Sequence, residues 1–343
     1  MTDDTSIGEL LAEQLQRLFT DTVDRDLFIA IEKGQAAEQL WNELEGLGIN
    51  SALVSEEKGG AGLSWSEIEP TLRTLGHYGA PVPLAETLLA HWLLAEAGID
   101  APTGPIAVST AQFTLNDDGT LSGHDPCLAW APLCTQAVIL AEKGDSHALC
   151  LVNYSEAQLT VKETIAREPQ ASLQLAGQAV TASASTAINS LLPYLAIIRA
   201  AQMGGALEQL LSLSVEYGNT REQFGRPIGK FQALQHSIAQ LASETAAAQV
   251  AALYACRQVD ANNAEKGAMV AKSRAGQAAG RGAEIAHQVF GAIGFTDEHT
   301  LHYFTRRLWQ WRSEAGSEFW WAEKLGQATI QQGGEALWPS VTQ

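Results

Sequence analysis

The sequence predicts a mainly α-helical α+β protein whose strands are gathered in the middle of the chain. Apolar residues recur at helical spacing in the first third, as in Leu40 and Leu44, and again in the second half. Between these regions, about seven short apolar runs alternate with turn residues, which is typical of strands. We therefore predict an N-terminal helical domain over 1–103, a small antiparallel β domain over 104–182 and a C-terminal four-helix bundle over 183–343.

The helical N-terminal domain contains a recognisable helix start. Ser64 and Glu67 have the spacing of a capping box, in which the two residues satisfy each other's free backbone donors. The glycine-rich segment GGAG at 59–62 lies just before this start. We predict a loop there rather than a phosphate-binding site, because no strand precedes it and no Lys-Ser/Thr pair follows it.

The β domain and the bundle are predicted from turns and from periodicity. Asp118 and Gly119 form a hairpin-turn pair, and no helical period separates the strands, so we expect them to pair antiparallel in a small barrel or sandwich. Four long helical segments with short connections then predict an antiparallel bundle. These segments cover residues 188–217, 233–262, 267–290 and about 298–332.

Composition argues against several classes of function. The 343 residues include 39 acidic and 21 basic side chains, and the net charge of −18 disfavours binding to nucleic acids and anionic membranes. The four cysteines lack CxxC spacing, so we predict reduced core thiols and no metal site. The first residues resemble no signal peptide, and no uncharged apolar stretch of about 18 residues occurs. We expect a soluble, cytoplasmic protein.

Two stretches of the bundle break the helical pattern. The first is YGNTREQFGRPIGKFQALQH at 217–236, where glycine and proline disfavour helix by about 1 and 3 kcal/mol each. In it, Arg221 suits a phosphate and Phe224 offers an aromatic face. The second is HQVFGAIGFTDEH at 287–299, whose glycines allow a ligand to approach the backbone. The residues alone leave two interpretations open: ligand-binding segments, or helix-to-helix turns with capping glycines.

These stretches resemble the two signatures of the acyl-CoA dehydrogenase family. The pattern from Tyr217 to Gln232 matches the first signature in order and spacing, and the pattern from Gln288 to Phe295 is similar to the second. The segment LVSEEKGGAGLS at 53–64 is similar to an N-terminal segment of the family. The resemblance implies that FAD is the cofactor, that an acyl-CoA thioester is dehydrogenated between its α and β carbons, and that an electron-transfer flavoprotein accepts the electrons. It also implies a dimer or tetramer.

The resemblance assigns residues to the cofactor. The first segment is expected to meet the FAD of a neighbouring subunit, and the second to approach the diphosphate and ribose. A Gly-Ser pair near the C-terminus matches the Gly-Thr of the family, whereas Ala292 stands where the family has the second glycine of a pair. The residues implied in cofactor binding are Arg221, Gln223, Phe224, Ile228, Phe231, Gln232, Gln288, Gly291, Gly294, Gly316 and Ser317.

The sequence departs from the family at the catalytic base, which must be a carboxylate with a raised pKa. Most members place a glutamate at the position that Ala315 occupies here, and a minority use the position of Tyr194 or Leu195. Glu314 and Glu318 are the nearest carboxylates and are our candidate bases. The alternative is a solvated acidic pair near a helix terminus.

Three functions therefore remain open from the sequence. The first is an FAD-dependent acyl-CoA dehydrogenase of fatty-acid or steroid catabolism. It is similar to the shorter bacterial type, which often works as a two-plus-two heterotetramer on bulky acyl-CoAs such as steroid side-chain or ring-degradation intermediates. The second is a partner subunit that lacks a base and completes the FAD site of such an enzyme. The third is a flavin oxidase or monooxygenase on the same fold.

Overall fold

The computed structural model describes residues 6–342, with side chains described as far as residue 339. It divides into two compact units, Met1–Leu195 and Ala196–Gln343. Our three-domain division stays a prediction, in which the first two domains together approximate the first unit. No helix within residues 6–342 combines the length and the apolar character that crossing a membrane requires.

The first unit begins with five α-helices. The predicted capping box is confirmed, because the Glu67 amide donates to Ser64 Oγ at 3.3 Å and the Ser64 amide donates to Glu67 Oε2 at 2.9 Å. The predicted loop at 59–62 is also confirmed, and a side chain at Gly60 would collide with the carbonyl oxygen of Val54. The helices are α1 (Ile7–Thr22), α2 (Arg25–Glu32), α3 (Glu38–Gly46), α4 (Trp65–Tyr78) and α5 (Leu84–Glu96).

A seven-stranded sheet follows, in the spatial order β5-β6-β2-β1-β3-β4-β7. All neighbouring strands are antiparallel except β1 and β3, which are parallel, with Ile106 opposite Gln136. Our prediction of a wholly antiparallel sheet is wrong at this pair, because β2 and a short 3₁₀ turn form a crossover long enough to return the chain in the same direction. The strands are β1 (Ile106–Leu115), β2 (Thr120–Ala129), β3 (Gln136–Lys143), β4 (Ser146–Asn153), β5 (Leu159–Lys162), β6 (Gln170–Ala179) and β7 (Ala182–Thr186).

The sheet buries an apolar core that contains two of the four cysteines. Cys134 and Cys150 are buried in this core, and Cys256 is buried in the second unit. All four cysteines are free, as predicted. The prediction of a core position is wrong for Cys127, which is exposed where the pairing of β2 with β6 is irregular, between Asp125 and Leu128.

The second unit is helical, and small residues let its helices pack closely. A side chain at Gly282 would collide with Leu207, so the backbone of the helix that contains Gly282 packs directly against that leucine. The predicted fourth segment is divided in two at residues 314–317, where Ala315 and Gly316 have left-handed φ angles of 52° and 88°. The helices are α6 (Leu192–Thr220), α7 (Gln232–Asp260), α8 (Ala264–Phe290), α9 (Leu301–Ser313), α10 (Glu318–Gln332) and α11 (Gly334–Thr342).

Candidate functional site

The first candidate segment forms a tight hairpin between α6 and α7. Strand β8 (Glu222–Gln223) pairs antiparallel with β9 (Arg226–Pro227). The connecting residues Phe224 and Gly225 have φ angles of 52° and 79°, which is the pattern of a type I′ turn. This turn leaves the Phe224 side chain 91% exposed, so its aromatic face is available to a ligand or to another subunit.

Arg221 lies where α6 leads into this hairpin. Its carbonyl oxygen accepts a hydrogen bond from the Ile228 amide at 2.8 Å, which fixes the backbone. Its side chain is exposed and makes no hydrogen bond or ion pair with other residues in the described part of the chain. A permanently charged guanidinium in this state is suited to an anionic group from outside the chain.

Aromatic contacts support the base of the hairpin. The Arg226 guanidinium carbon lies 4.2 Å from the centroid of the Phe231 ring, and the Phe224 ring meets Phe231 edge-on at 6.0 Å. The hairpin and its flanks hold six of the predicted cofactor residues, of which Ile228 and Phe231 are half-buried and the others are exposed. The six are Arg221, Gln223, Phe224, Ile228, Phe231 and Gln232.

The second candidate segment lies between α8 and α9. Gln288 is exposed in the last turn of α8, and Gly291 has a φ of 60° with open space where a side chain would be. At Gly294, by contrast, a methyl group would lie 2.9 Å from Leu301 Cδ2 and 3.0 Å from Phe290 Cβ. Internal packing therefore explains Gly294, whereas Gly291 leaves bare backbone facing open space.

A stacked aromatic pair brings the two segments to the same end of the bundle. The ring of Tyr217, one turn before Arg221, stacks on Phe290 with centroids 4.4 Å apart and planes 20° apart. Phe290 is the residue immediately before Gly291. The two neighbouring segments thus present the exposed cation of Arg221, the exposed ring of Phe224 and the bare backbone at Gly291. These groups fit a ligand that carries both phosphate and aromatic rings, as FAD does.

The sequence pattern did not identify His287 as a functional residue. Its side chain packs inside the second segment. It is buried, stacks on Phe295 at 4.2 Å and on Trp309 at 5.6 Å, and its Nε2 lies 3.1 Å from Thr305 Oγ1. Burial, helped by the charge of His302, lowers the pKa of His287. The neutral ring of His287 therefore has a packing role. In the sequence, only the position of this histidine in a run rich in aromatic residues and glycine could have indicated that role.

The third candidate segment is the turn between α9 and α10. Its left-handed residues place the carbonyl oxygen of Ala315 2.8 Å from Trp321 Nε1, which donates to it. A methyl group at Gly316 would lie 2.8 Å from that same Trp321 nitrogen, so glycine is required there. Ser317 caps α10 by accepting from the Trp320 amide at 3.3 Å. Both predicted cofactor residues of this turn thus have structural roles, and cofactor contact stays a prediction.

Glu314, the first candidate base, lies in a hydrogen-bonded ion pair. Arg199 Nε donates to Glu314 Oε2 at 2.7 Å, and Gln310 Nε2 donates to Glu314 Oε1 at 2.7 Å. The guanidinium of Arg199 is buried and also donates to Gln202 Oε1 at 2.6 Å. Both carboxylate oxygens of Glu314 therefore already accept hydrogen bonds within the bundle.

Glu318, the second candidate, is buried and forms an ion pair with Arg312. Burial acts to raise the pKa of Glu318, but the hydrogen bond from Arg312 and the charges of Arg312 and Lys272 outweigh burial and hold the pKa below its ordinary value. The alternative of a solvated acidic pair is wrong for Glu318. A base for carbon acids needs the opposite shift, so the structure does not support this residue in that role.

The two positions where the family places its base hold no carboxylate. Ala315 has only a methyl group, and the Tyr194 ring packs against Trp65 at 5.8 Å and Trp92 at 5.2 Å. Burial, with the charge of Glu96, raises the pKa of Tyr194, so this phenol stays protonated. Neither position provides a proton acceptor.

Comparisons with known proteins show which family the chain is similar to. A family model described as Acyl-CoA dehydrogenase, C-terminal domain, matches residues 185–318. The Acyl-CoA dehydrogenase IpdE2 of Mycobacterium tuberculosis (strain ATCC 25618 / H37Rv) is 31% identical over 281 residues, which cover 79% of this chain and 80% of that protein.

Solved structures share the fold over nearly the whole chain. A steroid ACAD, the Tcur3481-Tcur3483 G363A variant, superposes with a TM-score of 0.86 at 25% identity, covering 96% of this chain and 98% of that one. The ChsE4-ChsE5 complex from Mycobacterium tuberculosis superposes with a TM-score of 0.84 at 23% identity, covering 95% of this chain and 97% of that one. PigA with FAD and proline superposes with a TM-score of 0.78 at 19% identity, covering 96% of this chain and 100% of that one.

The α+β fold class and the family resemblance are both confirmed by these comparisons. The similarity to IpdE2 extends over four-fifths of that protein, and the match of the C-terminal domain includes all three candidate segments. This chain belongs to the acyl-CoA dehydrogenase family of FAD-dependent oxidoreductases that act on acyl-CoA.

Proposed function

We propose that this chain is one subunit of a heteromeric acyl-CoA dehydrogenase and that a second, similar chain supplies the catalytic base. The complex dehydrogenates an acyl-CoA thioester between its α and β carbons and passes the electrons to an electron-transfer flavoprotein. This chain contributes to the FAD site and to the fold of the assembly. We further propose that the complex is cytoplasmic.

The observation that carries the proposal is the absence of an available carboxylate at the end of α9. Ala315 occupies the usual base position, and the glutamates on either side of the turn are held by Arg199 and Arg312. Both oxygens of Glu314 already accept hydrogen bonds, and the charges beside Glu318 lower the pKa of that carboxyl. A chain with these pairs therefore needs the base from elsewhere to remove an α-proton.

The cofactor-facing residues support a role in binding. Arg221 is proposed to bind phosphate, Phe224 to pack on an aromatic ring, and the bare backbone at Gly291 to allow close approach of the diphosphate. Gln223 and Gln288 add exposed amide groups that donate and accept hydrogen bonds. Bound FAD supplies the acceptor for the hydride that leaves the β-carbon.

The substrate class is proposed from the neighbours. One is a steroid ACAD with two named components, and another is a complex of two named chains. By analogy, we propose a bulky acyl-CoA, such as a steroid side-chain thioester, and a two-plus-two arrangement of this chain with its partner.

The test is to purify the chain alone and together with a candidate partner, a similar chain that has a glutamate at the position of Ala315. Alone, it is expected to reduce no dye with octanoyl-CoA or a steroid side-chain thioester; together, the two chains form a yellow complex that reduces dye with a bulky thioester. Full FAD content and dye reduction by the chain alone would contradict the proposal and favour a self-sufficient enzyme. Rapid reoxidation by air without an added acceptor would favour the flavin oxidase instead.

A further inference from the structure

Lys272 of α8 is completely buried and spans the turn between α9 and α10. Its Nζ donates to the carbonyl oxygen of Arg312 at 2.8 Å and to that of Gly316 at 2.6 Å. Lysine is almost never fully buried unless its ammonium group is paired. The first carbonyl belongs to the last turn of α9 and the second to the turn itself, so one side chain ties the two together.

Two glycines continue the same face of α8 beyond Lys272. Gly276 and Gly280 follow at four-residue intervals, which places all three residues in one row along the helix. A methyl group at Gly276 would lie 2.6 Å from Glu318 Cβ, and one at Gly280 would lie 2.9 Å from Arg312 Nη1. The Arg312–Glu318 ion pair therefore lies directly on the backbone of α8. We call Lys272, Gly276 and Gly280 the α8 row.

The turn above the α8 row has a backbone conformation that needs external support. Ala315 has a φ of 52°, a left-handed conformation that is unfavourable for a residue with a side chain. Such residues persist where surrounding contacts hold them. The contacts here are the two hydrogen bonds from Lys272 and the bond from Trp321 Nε1 to Ala315.

The charges around Lys272 come from three other elements. Arg199 lies on α6, Arg312 lies on α9, Glu314 directly follows α9 as its C-cap, and Glu318 begins α10. Burial lowers the pKa of Lys272 to about 7, although both glutamates act to raise it. A neutral amine keeps two N–H groups, which equals the number of carbonyl oxygens that accept from it, so the bonds survive loss of the proton.

We propose that Lys272 is a positioning residue that holds the α9–α10 turn, and with it Gly316 and Ser317, in the conformation that meets the cofactor. The role of this turn as a cofactor contact rests on the proposed function. The holding of the turn by Lys272 rests on the contacts described above. Lys272 itself touches no reacting atom in this proposal.

The test compares Lys272→Met, which keeps the length of the side chain but removes the donors, with Lys266→Met as a matched control. Lys266 lies on the same helix and is exposed. Amide hydrogen exchange is followed by mass spectrometry in the full-length chain, over peptides covering residues 313–321. We expect Lys272→Met to accelerate exchange at least about tenfold, equivalent to about 1.4 kcal/mol, and the control to stay within about twofold.

A second set of variants keeps the proposal testable if Lys272→Met does not fold. Gly276→Ala pushes on the Cβ of Glu318 and is expected to accelerate exchange in the same peptides, whereas Gly280→Ala meets only the movable end of Arg312 and is expected to do less. Trp321 reports the turn directly. Its emission, isolated by subtracting the spectrum of the same protein with Trp321→Phe, is expected to shift to the red when the turn is released.

Two exchange results would overturn the proposal: exchange in residues 313–321 that stays within about twofold, or equal acceleration in peptides of α7, which would show general destabilisation. These measurements need no flavin, substrate or partner, so their failure is distinct from failure of the proposed function. Flavin titration of the complex completes the test. The FAD dissociation constant is expected to be tenfold larger for Lys272→Met than for the wild type. An unchanged constant would overturn the proposal that the turn contacts the cofactor.

Discussion

The substitution Glu314→Gln distinguishes a carboxylate that stabilises the bundle from one that removes a substrate proton. In the pair with Arg199, only 5% of the arginine side chain and 17% of the glutamate side chain are exposed. Loss of the negative charge leaves the buried guanidinium without its counterion. A structural role therefore predicts that the substitution lowers stability and leaves the chemical step intact.

The magnitude follows from the burial of the pair. Breaking a buried ion pair by removing one partner costs about 3–5 kcal/mol. Glutamine keeps an oxygen that accepts from Arg199, and Gln202 still accepts from the same guanidinium. We therefore expect the free energy of unfolding to fall by about 3 kcal/mol, the lower end of that range. For a unit of the size of Ala196–Gln343, each kcal/mol corresponds to about 2–4 °C in Tm, so the expected fall is about 6–12 °C.

Scanning calorimetry of the purified complex measures this change, with Glu323→Gln as the control. Glu323 is an exposed glutamate on α10 that accepts from Gln327 Nε2 at 3.1 Å, so its substitution should move Tm by no more than about 2 °C. The double variant Arg199→Met with Glu314→Gln should recover part of the loss, because it removes both charges together. Rapid-mixing measurement of flavin reduction gives the rate of the chemical step for each variant.

The reasoning would be refuted by the reverse pattern. A Tm within about 2 °C of the wild type, together with flavin reduction slowed by about 100-fold or more, would identify Glu314 as the general base, since such groups contribute about 10²–10⁴ in rate. It would also contradict the proposal that a second chain supplies the base.

Three further predictions concern the cofactor segments and pH. Gly294→Ala should destabilise the second unit by about 1–3 kcal/mol through overpacking against Leu301, measured by calorimetry; an unchanged Tm would contradict the packing role. Arg221→Met should weaken FAD binding at least about tenfold in a flavin titration while Tm stays constant, and equal FAD affinity would exclude phosphate binding by this arginine. The pKa of Glu318 lies below its ordinary value in the folded state, so its ion pair contributes stability at neutral pH that is lost as the pH falls through the lowered pKa. Tm should accordingly fall more between neutral pH and about pH 3 in the wild type than in Glu318→Gln; parallel curves would contradict this.

Local signals located most of the fold. The bounds of the three long helices α6, α7 and α8, the capping box at Ser64 and the turn at Gly119 depend on neighbouring residues, and each was predicted to within a few residues. The parallel pairing of β1 with β3 was missed, because the partner of a strand is chosen by packing between distant parts of the chain. The break at 314–317 was missed for the same reason, since the left-handed Ala315 is supported by side chains from α8 and α10.

The candidate site shows the same division. Glycine and proline at unusual places pointed to the hairpin around Phe224 and to the segment at Gly291, and their order matched the family. Only the fold brings these two segments to one end of the bundle, through the stacking of Tyr217 on Phe290. The sequence also contained no reason to connect Lys272 with Gly316, which lies 44 residues further along the chain.

By itself, the sequence determined that no carboxylate stands at the usual base position, because the identity of Ala315 is a local fact. The tertiary structure alone decided that Glu314 and Glu318 are held in ion pairs. Whether a carboxylate is paired depends on its burial and on its distance to other charges, and here those charges are Arg199 on α6 and Arg312 on α9. Spacing along the chain contains neither quantity, which is why the sequence names candidate bases and only the packed bundle shows their state.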